Sequence, residues 1–315
     1  MEKDKEDVMN CLSHFIRPSD WQQSTYEESF RLADLILQDP GKYSHSCDGK
    51  VLASLFFEPS TRTRLSFEAA FQRLGGRVIG FSDQGNTSTA KGESLEDTLR
   101  IVEGYVDLIV MRHFLEGAAY LATQTLTKVP VINAGDGSHQ HPTQTLTDLY
   151  TLHHYQKLGK NLTIGLCGDL LFGRTVHSLI EALEIFGGCH YVCIAPKDLA
   201  LPAYVQEKVK KGKITFVEDL QEVIGDLDVL YMTRVQKERF VSEQEYERLK
   251  GYYILDQEKM DRAKKDMLVM HPLPRVVEVD RKLDKDPRLI FFNQAHLGMY
   301  ARMALMMKTL GVNLD

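Results

Sequence analysis

The chain has 315 residues, of which 43% are apolar and 26% charged, a composition typical of globular proteins rather than disordered or fibrous ones. Its 38 basic and 44 acidic side chains give a formal net charge of -6, which argues against the overall positive field of a nucleic-acid-binding protein. No apolar run approaches the ~18 residues of a membrane span, and the N-terminus has no signal-peptide core, so we predict a cytoplasmic protein that binds neither nucleic acid nor membrane.

The cysteines argue against a disulfide framework. They are five in number and scattered, which suits a reducing compartment. Cys189 and Cys193 fall within one strand-like run and have no second ligand pair, so we interpret them as buried small hydrophobic residues. The sequence has no zinc-spaced Cys/His set, and we predict no metal and no cofactor.

Short apolar runs recur along the chain, each followed by a polar loop and a stretch of helical periodicity. This alternation is typical of parallel βαβ units. Eight runs predict strands: VLASLFF (51–57), VIGF (78–81), VDLIVM (106–111), VPVINA (129–134), LTIGLCG (162–168), CHYVCIA (189–195), LDVLYM (227–232) and DMLVMHP (266–272).

Eight strands are too many for one small sheet, so we predict an α/β protein of two doubly wound domains, each with a mostly parallel sheet flanked by helices. The stretch 152–161 follows a long helical pattern and has the composition of a hinge. We place the domain boundary near residue 143, which gives domains of 1–142 and 143–292. The apolar helix predicted near the C-terminus could pack on either domain.

The ends of the predicted strands are rich in Arg and His. In open parallel sheets, ligands bind outside the carboxyl ends of the strands. The cationic or imidazole residues that follow these runs include Arg62, Arg64, Arg112, His113, His141, Arg174, Arg234 and Arg275. Several such coincidences in a net acidic protein indicate a substrate with several negative charges; the alternative is that each side chain is a solvated loop residue.

The segment EPSTRTR predicts a phosphate site. Helical periodicity begins near Ser60 and stops at Gly75, so Ser60 or Thr61 is a candidate N-cap. Arg62 and Arg64 then lie in the first turn, where the helix dipole disfavours cations unless an anion is bound. Backbone N–H groups, the hydroxyls of Ser60, Thr61 and Thr63, and the Arg62 guanidinium could together hold a phosphate. The alternative is a capping serine with arginines that reach solvent or a surface carboxylate.

The segment H-P-T-Q places an imidazole at a helix N-terminus. Pro142 is favoured at the first helical position, which puts His141 just before it. The local dipole should disfavour protonation, and a neutral imidazole beside Gln144 could donate a hydrogen bond to a carbonyl oxygen. A purely structural N-cap histidine explains the spacing equally well.

The segment GDLLFGRT has the spacing of a Walker A loop but not its chemistry. Arg174 replaces the lysine, and Leu170, Leu171 and Phe172 are too bulky for backbone amides to wrap a triphosphate. The dinucleotide fingerprint G-x-G-x-x-G is also absent. A carboxylate held by Arg174 fits the segment better.

Seven segments in order resemble the aspartate/ornithine carbamoyltransferases over essentially the whole chain. They are FEPSTRTRLSFE (57–68), NTSTAKGES (86–94), VMRH (110–113), NAGDGSHQHPTQTLTDL (133–149), GDLLFGRTVHSL (168–179), LYMTRVQKERF (230–240) and VMHPLPR (269–275). S-T-R-T and H-P-x-Q are shared by both branches, whereas H-P-L-P-R and T-R-x-Q-x-E-R resemble the aspartate branch. Leu171 stands where many relatives have lysine, and Phe114 where proline is common.

The resemblance implies a carbamoyl-phosphate-binding domain over 1–142, with the C-terminal helix 293–315 packed back onto it, and an aspartate-binding domain over 143–292. It also implies an active site in the cleft between them and a homotrimer with shared sites. The expected catalytic residues are Arg62, Thr63, Arg112 and His141. The expected carbamoyl phosphate ligands are Ser60, Thr61, Arg62, Thr63, Arg112, His141, Gln144, Leu273 and Pro274, with Ser88 and Lys91 from the adjacent subunit; those for aspartate are Lys91, Arg174, Arg234 and Gln236.

The implied reaction is carbamoyl transfer from carbamoyl phosphate to the amine of L-aspartate, a step of pyrimidine biosynthesis. Two alternatives remain open at the sequence level: a carbamoyltransferase for another amine such as ornithine, and a non-catalytic phosphate-binding protein of the same fold. The sequence does not say whether a separate regulatory chain binds.

Overall fold

The computed structural model describes residues 13–82, 92–137, 140–159, 161–234, 244 and 253–312. The chain divides into two compact units. Unit 1 comprises Met1–Tyr150 and Leu297–Asp315, and unit 2 comprises Thr151–His296. None of the helices in the described ranges is both long and apolar enough to cross a bilayer.

The strands of unit 1 form a four-stranded parallel sheet with the order β2-β1-β3-β4. They are β1 (Val51–Phe56), β2 (Arg77–Phe81), β3 (Leu108–His113) and β4 (Val131–Asp136). The helices are α1 (Gln23–Gln38), α2 (Thr61–Arg73), α3 (Leu95–Glu103), α4 (Ala118–Thr125) and α5 (Pro142–His154), the last of which extends into unit 2. Strands β3 and β4 are buried at every position, as expected for parallel strands covered on both faces.

Unit 2 contains a five-stranded parallel sheet with the order β7-β6-β5-β8-β9. Its strands are β5 (Thr163–Cys167), β6 (His190–Ile194), β7 (Lys213–Val217), β8 (Val229–Met232) and β9 (Leu268–Met270). The helices are α6 (Arg174–Ile185), α7 (Ala203–Gln206) and α8 (Gln257–Arg262), and α9 (Phe291–Thr309) runs from unit 2 back into unit 1. Short 3₁₀ helices occur at Pro18–Asp20, Pro40–Tyr43, Lys197–Leu199, Leu220–Glu222, Ile224–Asp226 and Arg281–Lys285.

All eight predicted strands are present, and the prediction of two parallel sheets flanked by helices is confirmed. The sequence reading missed β7, an edge strand whose side chains are exposed or half-buried and which therefore lacks a continuous apolar run. The C-terminal helix starts at Phe291 rather than 293 and ends at Thr309, because Gly311 adopts φ +63°, a conformation that terminates helices. The predicted domain boundary at 142/143 stays a prediction.

Candidate active site

The carboxyl ends of three strands in unit 1 bring the predicted phosphate-binding residues to one edge of the sheet. Helix α2 follows β1, Arg112 and His113 are the last residues of β3, and His141 follows β4. Since β1, β3 and β4 are neighbours in the sheet, these groups share one rim, as the strand-end pattern predicted.

Arg112 lies at the centre of this rim and is only 7% exposed. Its Nη2 is 3.1 Å from Oε2 of Glu58, and its Nη1 donates to the Ala134 carbonyl at 3.4 Å. Burial lowers the pKa of the Arg112 guanidinium, and the negative charge of Glu58 opposes that shift. No role for Glu58 was predicted from the sequence, although it lies two residues after the end of β1 and the strand-end rule could have found it.

His141 is buried beside Arg112, with its Nε2 3.4 Å from Arg112 Nη1. A guanidinium has only donors, so this contact is favourable only when Nε2 carries no proton and the imidazole is neutral. The His141 carbonyl accepts the N–H groups of Gln144 and Thr145 in the first turn of α5, which begins at Pro142 as predicted. The structure therefore joins Arg112 and His141, two residues that are far apart in the sequence.

The carboxyl-terminal half of β4 presses against these two side chains. Asn133 Oδ1 accepts the Gly135 N–H at 2.8 Å, and Asn133 Nδ2 donates to Asp136 Oδ1 at 3.1 Å. Gly135 has φ +127°, and a Cβ there would lie 3.0 Å from Arg112 Nη1. Asn133, Gly135 and Asp136 thus shape the wall of the site, a role that the sequence reading did not assign to them.

At the N-terminus of α2, Ser60 occupies the N-cap position, but its side chain makes no capping hydrogen bond. Thr61 and Arg62 are exposed and Thr63 is buried. Arg64 is 3.3 Å from Glu68 on its own helix, so the alternative of a surface ion pair applies to this arginine. A serine hydroxyl that does not cap the helix and an exposed first turn are features that suit anion binding at a helix N-terminus.

In unit 2, the predicted aspartate ligands also follow neighbouring strands. Arg174 is the first residue of α6, which follows β5, and Arg234 lies just after β8. Leu273 and Pro274 come after β9, the next strand in the sheet. All four therefore lie at the carboxyl edge of the second sheet. Ser88, Lys91 and Gln236 lie outside the described residues.

A buried histidine holds the loop that carries Leu273 and Pro274. His271 Nδ1 accepts the Leu273 N–H at 2.8 Å, so the ring proton sits on Nε2, which is 2.7 Å from Glu278 Oε1. Glu278 also accepts the N–H groups of Val276 and Val277. Leu273 has φ +60°, an uncommon conformation for a non-glycine residue, and this network fixes it.

His113 makes a similar local contact at the end of β3. Its Nδ1 accepts the Leu115 N–H at 2.9 Å, and its ring packs against Phe57 and stacks on Phe114 at a centroid distance of 4.4 Å. Phe114 thus covers one face of the His113 ring. Burial lowers the pKa of His113.

The cysteines within the described ranges are free and buried. Burial raises the pKa of the Cys47 thiol to about 11, and raises those of Cys189 and Cys193 to about 12. Cys189 lies next to strand β6, and Cys193 lies within it. The interpretation of this pair as buried hydrophobic residues is confirmed.

Two family models match the chain. The carbamoyl-P binding domain of aspartate/ornithine carbamoyltransferase matches residues 13–154, and the Asp/Orn binding domain of the same enzymes matches residues 160–309. The chain therefore belongs to the aspartate/ornithine carbamoyltransferase family, as the seven segments predicted.

Two of the most similar curated relatives are aspartate carbamoyltransferase catalytic subunits. The chain is 56% identical over 301 residues to the aspartate carbamoyltransferase catalytic subunit of Clostridium novyi, covering 95% of this chain and 98% of that protein. It is 54% identical over 304 residues to that of Lachnoclostridium phytofermentans, covering 96% and 99%.

Solved structures agree with this assignment. The catalytic subunit of M. jannaschii aspartate transcarbamoylase superposes with a TM-score of 0.88 at 45% identity, covering 96% of this chain and 99% of that one. Trypanosoma cruzi aspartate transcarbamoylase in complex with N-(phosphonacetyl)-L-aspartic acid gives a TM-score of 0.86 at 36% identity, covering 94% and 96%. The same T. cruzi enzyme has been solved with carbamoyl aspartate and phosphate.

Proposed function

We propose that this chain is an enzyme that transfers the carbamoyl group of carbamoyl phosphate to the amine of L-aspartate, giving N-carbamoyl-L-aspartate and phosphate. The observation that carries the proposal is the pairing of buried Arg112 with His141 at the rim of unit 1. The names of the relatives and the ligands of the T. cruzi structures support the same reaction.

The chemistry follows from the charges. The aspartate amine attacks the carbonyl carbon, the oxyanion that develops is stabilised by Arg112, Thr63 and His141, and the bond from carbon to the phosphate oxygen then breaks. The departing phosphate takes up the amine proton, so no covalent enzyme intermediate is needed. Ser60, Thr61 and Arg62 hold the phosphate group during this step.

The other roles complete the proposed site. Gln144 and the backbone at Leu273 and Pro274 bind the carbamoyl amide. Arg174, Arg234 and Gln236 bind the two carboxylates of aspartate, while Ser88 and Lys91 come from the adjacent subunit. Two arginines at the second sheet favour a dianionic amino acid, whereas the cationic side chain of ornithine would be repelled.

Exposed apolar side chains on the surface of unit 1 support a homotrimer. Strand β2 is at the edge of its sheet, and its Ile79 side chain is 46% exposed. Leu65 on α2 is also exposed. An exposed edge strand with apolar side chains is typical of a surface that another chain covers. The cytoplasmic location and any regulatory chain stay predictions.

The test is an assay of the purified chain with carbamoyl phosphate and either L-aspartate or L-ornithine. We expect phosphate release to match carbamoyl-aspartate formation with aspartate, and no citrulline with ornithine. Formation of citrulline without carbamoyl-aspartate would show that the chain is an ornithine carbamoyltransferase. Absence of turnover with either amine would indicate a non-catalytic phosphate-binding protein.

A further inference from the structure

A pair of buried charged residues lies behind the proposed site in unit 1. Arg302 on α9 is 5% exposed, and Asp148 on α5 is fully buried. Arg302 Nη1 donates to Ser66 Oγ at 3.0 Å, and its guanidinium carbon lies 5.2 Å from the centre of the Phe67 ring. Gly298 allows α9 to pack closely on α5, because a Cβ there would lie 2.8 Å from the Thr147 side chain.

The charges of these two residues act on each other. Burial lowers the pKa of the Arg302 guanidinium to about 10, and the negative charge of Asp148 opposes that shift. Arg302 therefore remains a cation at neutral pH. A buried cation and carboxylate are costly to desolvate and add little net stability, so their retention calls for another explanation.

Asp148 fixes the side chain of Gln144. Gln144 Nε2 is 2.8 Å from Asp148 Oδ1, one turn further along α5. A carboxylate can only accept, so the amide nitrogen must face Asp148 and the amide oxygen must point away from it. If Asp148 were protonated it could donate instead, and the Gln144 amide could then turn over.

We propose that Asp148 and Arg302 are positioning residues that present Gln144 Oε1 as an acceptor for the amino group of carbamoyl phosphate. The inference rests on the proposed function and adds a source of selectivity to it. The positive charge of Arg302 acts on Asp148, Asp148 accepts a hydrogen bond from the amide nitrogen, and the amide oxygen is left to recognise N–H groups. An acyl phosphate with a methyl group in place of the amino group would leave that oxygen without a donor.

Two stable phosphonates test this selectivity. Phosphonoacetamide carries the amino group, and (2-oxopropyl)phosphonate has a methyl group in its place. We expect the wild-type chain to bind the amide about tenfold more tightly than the ketone in titration calorimetry, which is the effect of one hydrogen bond to a half-buried acceptor.

The main variant is Asp148→Leu with Arg302→Met, because removing both charges avoids an isolated buried cation. We expect the Kd for the amide to rise until the two ligands bind equally, with the Kd for the ketone changed by less than about twofold. A structural defect would weaken both ligands alike. Asp148→Asn, which is isosteric, is the second variant if the first does not fold, and it should lower the selectivity at least about threefold.

Gln144→Met provides the reference. The Gln144→Met variant should bind the amide and the ketone equally. Adding Asp148→Leu and Arg302→Met to that variant should not change the ratio of the two Kd values further. Retained selectivity in the folded variants, or equal weakening of both ligands, would overturn the inference. A wild-type chain that binds neither phosphonate would instead contradict the proposed function.

Discussion

Arg112 combines three features that single residues seldom share. It is buried, it lies 3.1 Å from a carboxylate, and it lies 3.4 Å from an imidazole nitrogen. The carboxylate offsets the buried cation before substrate arrives, and the planar guanidinium directs donors toward Glu58, Ala134 and His141 at once. A lysine could not satisfy this geometry, because its donors radiate from one nitrogen atom.

Arg112→Lys should therefore lower kcat by about 10²–10³, the usual loss for removing an oriented donor to a developing oxyanion. Steady-state formation of carbamoyl-aspartate measures it. Arg64→Lys is the matched control, since Arg64 pairs with Glu68 on its own helix, and it should change kcat by less than about twofold. A near-normal kcat for Arg112→Lys would contradict the proposal that Arg112 stabilises the oxyanion.

Gly135→Ala should abolish most activity. The new Cβ would lie 3.0 Å from Arg112 Nη1 and at a φ of +127°, so it would displace the guanidinium and strain the backbone. Gly49→Ala separates these effects, because Gly49 also has a positive φ, +78°, but has no atom within 4 Å of the new Cβ. Both variants should lose about 1 kcal/mol of unfolding free energy, whereas only Gly135→Ala should lose turnover. Equal kcat in the two variants would contradict the role of Gly135.

The site residues at the ends of strands could be predicted from the sequence, whereas the residues that hold their side chains in place could not. Arg112 and His141 were predictable because each follows an apolar run. Arg302 could not be predicted as part of the site. It lies in a mainly apolar helix, and its partner Ser66 on α2 is more than a hundred residues away in the sequence. Asn133 and Asp136 shape the end of β4 through side-chain hydrogen bonds, which hydrophobic periodicity does not predict.

The loop after β9 is held in one conformation by hydrogen bonds between buried side chains and the backbone. His271 and Glu278 are both buried, and their hydrogen bond closes a loop whose N–H groups at Val276 and Val277 also point to the carboxylate. Burial would raise the pKa of the Glu278 carboxyl, but hydrogen bonds from His271 and from the backbone outweigh it and hold the pKa below its ordinary value. The ionised carboxylate is thus part of the folded loop.

Glu278→Gln should cost about 2 kcal/mol of unfolding free energy at about pH 7, because an amide offers one acceptor oxygen where the carboxylate offers two. The lowered pKa fixes the sign of the pH dependence. Glu278 contributes its full stability above its unfolded pKa and loses it as the pH falls through the lower folded pKa.

Urea unfolding at several pH values measures this effect. The gap between the wild type and Glu278→Gln should stay constant from about pH 7 to about pH 5 and narrow as the pH falls below about 4. Glu181→Gln, which breaks a surface pair with Lys208, should differ from the wild type by less than about 0.5 kcal/mol throughout. A gap that stays constant with pH would mean that the Glu278 charge is unimportant.

Elements were predictable where burial imposed a pattern. Strands such as β3 and β4 are buried along their whole length, so their apolar runs are continuous. Strand β7 lies at the edge of its sheet and is partly exposed, and the residues Lys213–Val217 carry no comparable signal. The start of α9 was also uncertain, because helix ends depend on local hydrogen bonds more than on periodicity.

At the scale of the whole molecule, the proposal places Arg62, Arg112 and His141 in one chain and Lys91 in its neighbour. A closed ring of three copies allows this sharing, since each chain then gives one surface to the next chain and receives another. Solution mass should accordingly correspond to three chains. Active sites shared between subunits can be tested more directly than by mass, because two inactive variants should then restore activity when they assemble together.

Arg112→Ala and Lys91→Ala should each be nearly inactive alone, since every site in either homotrimer lacks one group. In trimers formed by refolding a one-to-one mixture, a site is intact when its Arg112 comes from the Lys91→Ala chain and its Lys91 from the Arg112→Ala chain. Random assembly makes about one quarter of the sites intact, so about one quarter of wild-type activity should return. A mixture of Arg112→Ala with Arg62→Ala is the control, because both groups belong to the same side of the site and no intact combination can form. If the first mixture stays as inactive as the second, each chain builds its site alone, and the homotrimer with shared sites is wrong.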